Sequence, residues 1–142
     1  MNVSTRFTVA LHILTLLASA PGQALTSEYI AGSVNTNPVV VRRLLGVLRK
    51  VGIVSSQPGN GGGWELAKSP EKLTLRDVRR AVNEGSPFSM HNQPPNPMCP
   101  VGRNIQGVLG PVYDRAEQIM EDELSHTTIS SLLQAVQCRG KG

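Results

Sequence analysis

The residues whose types and spacing could do chemistry begin with Arg42 and Arg43, side by side a few positions after Pro38. Two guanidinium forks near the start of a helix can each hold guanine O6 and N7 in a DNA major groove, worth about 1 to 3 kcal/mol of discrimination per contact. Taken alone, two such charges are more often a solvated helix face. Val39 and Val40 precede them; contact with thymine methyls and core packing of one of the two are equally good readings. The stretch from Gly59 to Gly63 lacks the Gly-Lys-Ser/Thr ending of a nucleotide loop. Its amides, including that of Gly61, and the side chain of Asn60 suit phosphate or sugar instead. Thr36, with Arg6 and Ser27, is a secondary phosphate candidate that would supply position, not sequence reading.

The second chemistry is that of a thiol. Cys99 directly precedes Pro100, the expected first residue of a long helix, so its sulfur would sit where unpaired amides favour negative charge, with Arg103 one turn on. That setting suits a sensor of peroxide, disulfides or electrophiles; the alternative is an inert, half-buried thiol. Cys138, in the tail, would resolve a sulfenic acid if the tail reaches it, or it is incidental. His12, His91 and His126 share no metal-ligand or catalytic spacing with carboxylates or cysteines. No metal, no cofactor and no enzymatic activity are therefore expected.

These residues need elements to place them. Phe7 to Ala18 is an apolar run ending in Ala18-Ser19-Ala20, which imitates a secretory leader. Only Arg6 precedes it, His12 and Thr15 interrupt it, and Phe7, Ala10, Leu11, Leu14 and Leu17 fall at helical spacing. It reads as a core helix of a cytoplasmic protein, too short to span a bilayer. Thr26 caps a short helix from Ser27 to Ser33. After the tight connection Val34 to Asn37, Pro38 opens a second helix with Val41, Leu44, Leu45, Leu48 and Val51 on one face, stopped by Gly52. Its other face carries Val39, Val40, Arg42, Arg43, Gly46, Arg49 and Lys50. Two short helices joined by such a turn predict a helix-turn-helix.

Ile53 to Ser56 and Trp64 to Ala67 predict a hairpin, the wing of a winged helix. Thr74 then caps Leu75 to Val82, with Asp77 three residues on. Gly85 to Pro100 is proline-rich and reads as a loop. Beyond it a helical stripe runs through Val101, Ile105, Val108, Leu109, Val112, Ala116, Ile119, Met120 and Leu124, with Pro111 expected to kink or split it. A long amphipathic helix on a small domain suggests a dimer interface, against the alternative of packing within one chain. The expected fold class is mostly α with a small β-hairpin wing, divided into 1–84 (winged-helix domain, its first helix also serving the dimer), 85–100 (sensor loop) and 101–142 (dimerisation helix and tail).

The chain has 142 residues, 39% of them hydrophobic, the length of about one domain. No residue type repeats with a fixed period, and two cysteines cannot make a disulfide framework. Of the net charge of +4, residues 1 to 82 hold ten Lys/Arg against four Asp/Glu, and the remainder four against six. A basic front half suggests a polyanionic partner, although chance partition gives the same counts.

Thr26 to Ala31, the segment Val39 to Gly52 with Leu48-Arg49-Lys50-Val51-Gly52-Ile53-Val54, the wing ending Gly62-Gly63-Trp64-Glu65-Leu66-Ala67, and Leu73-Thr74-Leu75 resemble the Rrf-type (IscR/NsrR/CymR-like) bacterial winged-helix regulators over nearly the whole chain. The resemblance implies a homodimeric transcription factor, usually a repressor, with a long dimerisation helix near the C-terminus and double-stranded DNA carrying a pseudo-palindromic operator as partner. Cluster-binding members carry three cysteines before the long helix. Here only Cys99 stands in that stretch, with Gly102 three residues on, so no iron-sulfur cluster is expected. Pro58 replaces the arginine common before the wing glycines, which implies weaker or backbone-made wing contacts. Two competing functions are a winged-helix module that docks a protein instead of DNA, and a repressor gated by a small molecule or partner protein.

Overall fold

A computed structural model describes residues 4–82 and 84–140. Helices α1 (Arg6–Ala18), α2 (Ser27–Val34) and α3 (Pro38–Lys50) are followed by strands β1 (Val54–Gln57) and β2 (Gly63–Leu66), then by α4 (Leu75–Val82), α5 (Pro100–Leu124) and α6 (Ile129–Gly140). They fall into two compact units. One comprises the chain up to Glu84 together with the chain from Leu124; the other is Gly85–Glu123.

The first unit is a winged helix built on α1, whose Ala10, Ile13, Leu14 and Leu17 are buried. Each of α2 and α3 starts on a side-chain cap that supplies an acceptor to an otherwise unpaired amide. Thr26 accepts from the Tyr29 amide at 3.1 Å, and Asn37 accepts from the Val39 amide at 2.8 Å, with Pro38 at the first helical position. Between the two helices Asn35 turns left-handed at φ 64° and donates its N–H to the Ala31 carbonyl. Asparagine tolerates that conformation better than most residues. The stripe Val41, Leu44, Leu45 and Leu48 is buried. Val51, expected on that stripe, lies just past the helix and is exposed, because Gly52 at φ 78° turns the chain there.

The hairpin pairs antiparallel, Val54 with Leu66 through Gln57 with Gly63. The expected strands were each displaced by one residue. Leu25 adds a third, single-residue partner: it exchanges both backbone hydrogen bonds with Trp64, at 3.0 and 2.8 Å. Gly63 is required at that point, since its φ is 150° and a Cβ there would lie 2.5 Å from the Leu25 carbonyl oxygen.

The start of α4 is a capping box, Asp77 N–H to Thr74 Oγ1 at 3.1 Å and Thr74 N–H to Asp77 Oδ2 at 3.0 Å. Thr128 and Ser131 make the same reciprocal arrangement at the start of α6. The two caps are stitched together through the Leu75 amide to the Thr127 carbonyl and the Ile129 amide to the Leu73 carbonyl, both 2.9 Å. So held, α6 packs on α1 and buries Ile129. Residues 124–140 therefore belong with the first unit, whereas most of α5 lies in the second.

In the second unit α5 runs unbroken from Pro100 to Leu124 with Pro111 inside it, and none of its residues is buried. Of the two outcomes expected at Pro111, a kink or a split, the split does not occur. The preceding loop folds along the helix: Phe88 stacks on Tyr113 with centroids 4.9 Å apart, and His91 Nδ1 lies 3.3 Å from Gln106 Nε2. At the helix start the Asn96 carbonyl accepts from the Cys99 amide, and a Cβ on Gly102 would come within 2.6 Å of that same carbonyl oxygen. A glycine at 102 is what lets the loop close so tightly on the first turn.

Candidate nucleic-acid interface

The free face of α3 carries Val39 and Val40, 50% and 40% exposed, together with exposed Arg42, Arg43, Arg49 and Lys50. Neither valine enters the core, because Val41, Leu44, Leu45 and Leu48 already occupy the buried side. Two exposed β-branched residues followed by two arginines on the first turns of a helix make a surface that is apolar at one end and cationic at the other. That combination suits a major groove, where thymine methyls and guanine edges lie side by side.

The cations differ in their surroundings. Arg42 donates from Nη1 to Glu28 Oε1 of α2 at 3.2 Å. Arg49 lies over the Trp64 ring, 5.5 Å from its centroid, and reaches Ser56 Oγ at 3.4 Å. Arg43 has no hydrogen-bond or ion-pair partner among the described residues, leaving its fork free. Thr36 is half-buried in the turn before α3, its amide bonded to the Ala31 carbonyl. Asn60 and Gly61 are exposed at the wing tip, where Gly59 and Gly61 both have positive φ.

One residue is placed differently from the sequence reading. Ser27, a phosphate candidate there, is buried and accepts from Trp64 Nε1 at 3.3 Å, so its hydroxyl faces the wing base. Tyr29, in the first turn of α2, is exposed. An aromatic in the first turn of a helix gives no sequence signal that would separate that outcome from burial.

Cys99 is exposed immediately before α5 and its carbonyl accepts from the Arg103 amide at 2.8 Å, the first bond of the helix. The Arg103 guanidinium reaches the Pro97 carbonyl at 3.4 Å. Cys138 is exposed as well, but it lies in the last turns of α6, not on a free tail.

The pattern of the Rrf2 family, described as an iron-dependent transcriptional regulator, matches residues 3–135. The chain belongs to the Rrf2 family. This Rrf2 protein is 38% identical over 131 residues to YwnA of Bacillus subtilis, covering 92% of this chain and 96% of that one. Its fold is that of two solved relatives. IscR of T. potens superposes with a TM-score of 0.73 at 24% identity, over 96% of this chain and 88% of its own. CymR, the global cysteine regulator of B. subtilis, gives 0.67 at 23% identity, over 95% and 98%. The relatives of this Rrf2 protein are transcriptional regulators, not enzymes. No helix among its described residues is long and apolar enough to cross a membrane.

The family description raises the question of iron. Protein iron-sulfur clusters are held by sets of cysteine thiolates. This sequence has two cysteines in all, and the loop before α5 offers Cys99 and His91 alone. Among the described residues no group of three or more His, Cys, Asp or Glu side chains is disposed to hold a metal ion. The donor set does not fit a cluster.

Proposed function

We propose that this Rrf2 regulator is a homodimeric repressor that reads a pseudo-palindromic operator, with α3 of each subunit in a major groove and the wing against the backbone. The exposed face of α3 is the observation that carries this reading: Val39, Val40, Arg42 and Arg43 all lie outside the core formed by Val41, Leu44, Leu45 and Leu48. In this assignment residues 1–84 bind DNA, 85–100 form the sensing loop and α5 supplies dimerisation, while α6 packs on α1. Thr36, Asn60 and Gly61 position the protein on phosphate and sugar. The protein works in the cytoplasm, on double-stranded DNA.

Dimerisation is supported by α5, which buries nothing and exposes Val101, Val108, Val112 and Ile119 at spacings of seven, four and seven residues. An apolar seam of that period is what a second helix would cover. Cys99, exposed at the chain junction between the DNA-binding segment and α5, is the candidate switch: oxidised, it would change the helix start and with it the spacing of the two recognition helices. Selection of duplexes from a random pool, followed by anisotropy titration over a salt series, tests the DNA reading. The expected outcome is an enriched palindrome with half-site centres roughly 34 to 36 Å or a multiple apart, and affinity that falls steeply with salt. Failure to enrich any sequence, with binding insensitive to salt, would favour a protein-docking module instead.

A further inference from the structure

The ion pair between Glu28 and Arg42 joins the first turn of α2 to the exposed face of α3, with the two side chains 70% and 49% exposed. As a stabilising device it is weak, since two solvent-exposed charges are screened and gain little from pairing. Its location is the informative part. Arg42 shares its face with Val39 and Arg43. A carboxylate beside such a surface lowers attraction for any polyanion, so it opposes the sequence-independent part of DNA binding.

Resting on the DNA-binding reading above, we propose that Glu28 is a specificity-determining residue, which acts by holding Arg42. A guanidinium has more N–H donors than one carboxylate oxygen accepts, so Arg42 can keep Glu28 and still offer two parallel donors to a guanine edge. The carboxylate then orients the fork, as a base contact needs. Without an operator guanine in register, Arg42 is left mainly with phosphates. A phosphate carries a full negative charge, which a contact through Arg42 brings close to the Glu28 carboxylate, whereas a guanine edge carries none. The pair thus penalises non-specific docking more than operator docking, and specificity is that difference.

The test uses the full chain and three variants, Glu28→Gln, Arg42→Gln and the double substitution, titrated against the selected operator and a scrambled duplex of equal length over a salt series. In Glu28→Gln the scrambled duplex should bind more tightly. The operator-to-scrambled affinity ratio should fall by roughly 5-fold or more, the lower end of what one bidentate base contact discriminates. The log–log salt slope on the scrambled duplex should steepen by up to about 0.9, one phosphate's worth. With Arg42 already replaced, Glu28→Gln should leave the ratio unchanged, the non-additivity expected of a coupled pair. An unchanged ratio in Glu28→Gln, or an equal fall with and without Arg42, overturns the proposal while wild-type sequence preference stands. A wild-type protein with no preference for any duplex overturns the DNA-binding reading itself, and this inference with it.

Discussion

The Arg49 guanidinium at the end of α3 lies over the indole of Trp64 on the wing, 5.5 Å from the ring centroid. The same indole donates to buried Ser27 at the start of α2, and its backbone pairs with Leu25. One side chain therefore ties the wing to both helices of the helix-turn-helix, and the angle between wing and α3 follows from it. Trp64→Ala removes the packing, the stacking and the Ser27 hydrogen bond together. A loss of about 2 to 4 kcal/mol is expected, close to the range for aromatic truncation, measured by urea unfolding. Trp64→Phe should cost less, about 1 to 2 kcal/mol, through the buried hydroxyl left without its donor.

Gly63→Ala tests the close approach of the wing to Leu25. The backbone region alone costs on the order of 1 to 3 kcal/mol for a residue with a side chain, and the Cβ would collide with the Leu25 carbonyl oxygen at 2.5 Å. A lower unfolding midpoint is expected, with hydrogen exchange at the Leu25 and Trp64 amides accelerated more than elsewhere. Stability equal to wild type would contradict the pairing.

Arg43→Ala and Arg42→Ala should each relax base preference at one symmetric position per half-site, with a loss of about 1 to 3 kcal/mol per lost contact. Competition binding against operators substituted one base pair at a time reads this directly. If both variants keep the wild-type preference, α3 is not in the groove.

Placing an aspartate in the exposed seam of α5, at Val108 or Ile119, should convert a dimer into a monomer. Burying an unpaired charge is prohibitive in a packed interface. Sedimentation equilibrium at micromolar concentration decides it, and a wild-type monomer would end the dimer reading at once.

Mild diamide or peroxide should weaken operator binding reversibly, and Cys99→Ser should bind regardless of oxidant. Loss of the second half-site contact removes the gain in effective concentration that two linked contacts provide, so the operator should suffer far more than random DNA. Unchanged operator affinity with Cys99 shown by mass spectrometry to be fully modified would leave the redox switch without support.

Much of this fold was legible residue by residue because its punctuation is local. Thr26, Asn37 with Pro38, and the Thr74–Asp77 box each satisfy amides within three positions, and the glycines of the wing tip act on their own φ angles. Hydrogen bonds of that range depend on little beyond the neighbouring chain, so α1 to α5, the hairpin and the cationic face of α3 follow from the sequence, whereas α6 reads there only as a tail. Which way a given side chain turns does not. Val39 and Val40 stay outside while Val41 goes in, Ser27 turns inward and Tyr29 outward. Each outcome depends on which helix face finds a partner many residues away. The same holds for Leu25 pairing with Trp64 and for α6 docking on α1 through the joined caps of Thr74 and Thr128. A single bridged residue leaves no period in a sequence, and the Glu28–Arg42 pair arises only because α2 and α3 bring fourteen-residue neighbours together. Burial and charge pairing are properties of those long-range contacts, which only the tertiary structure decides.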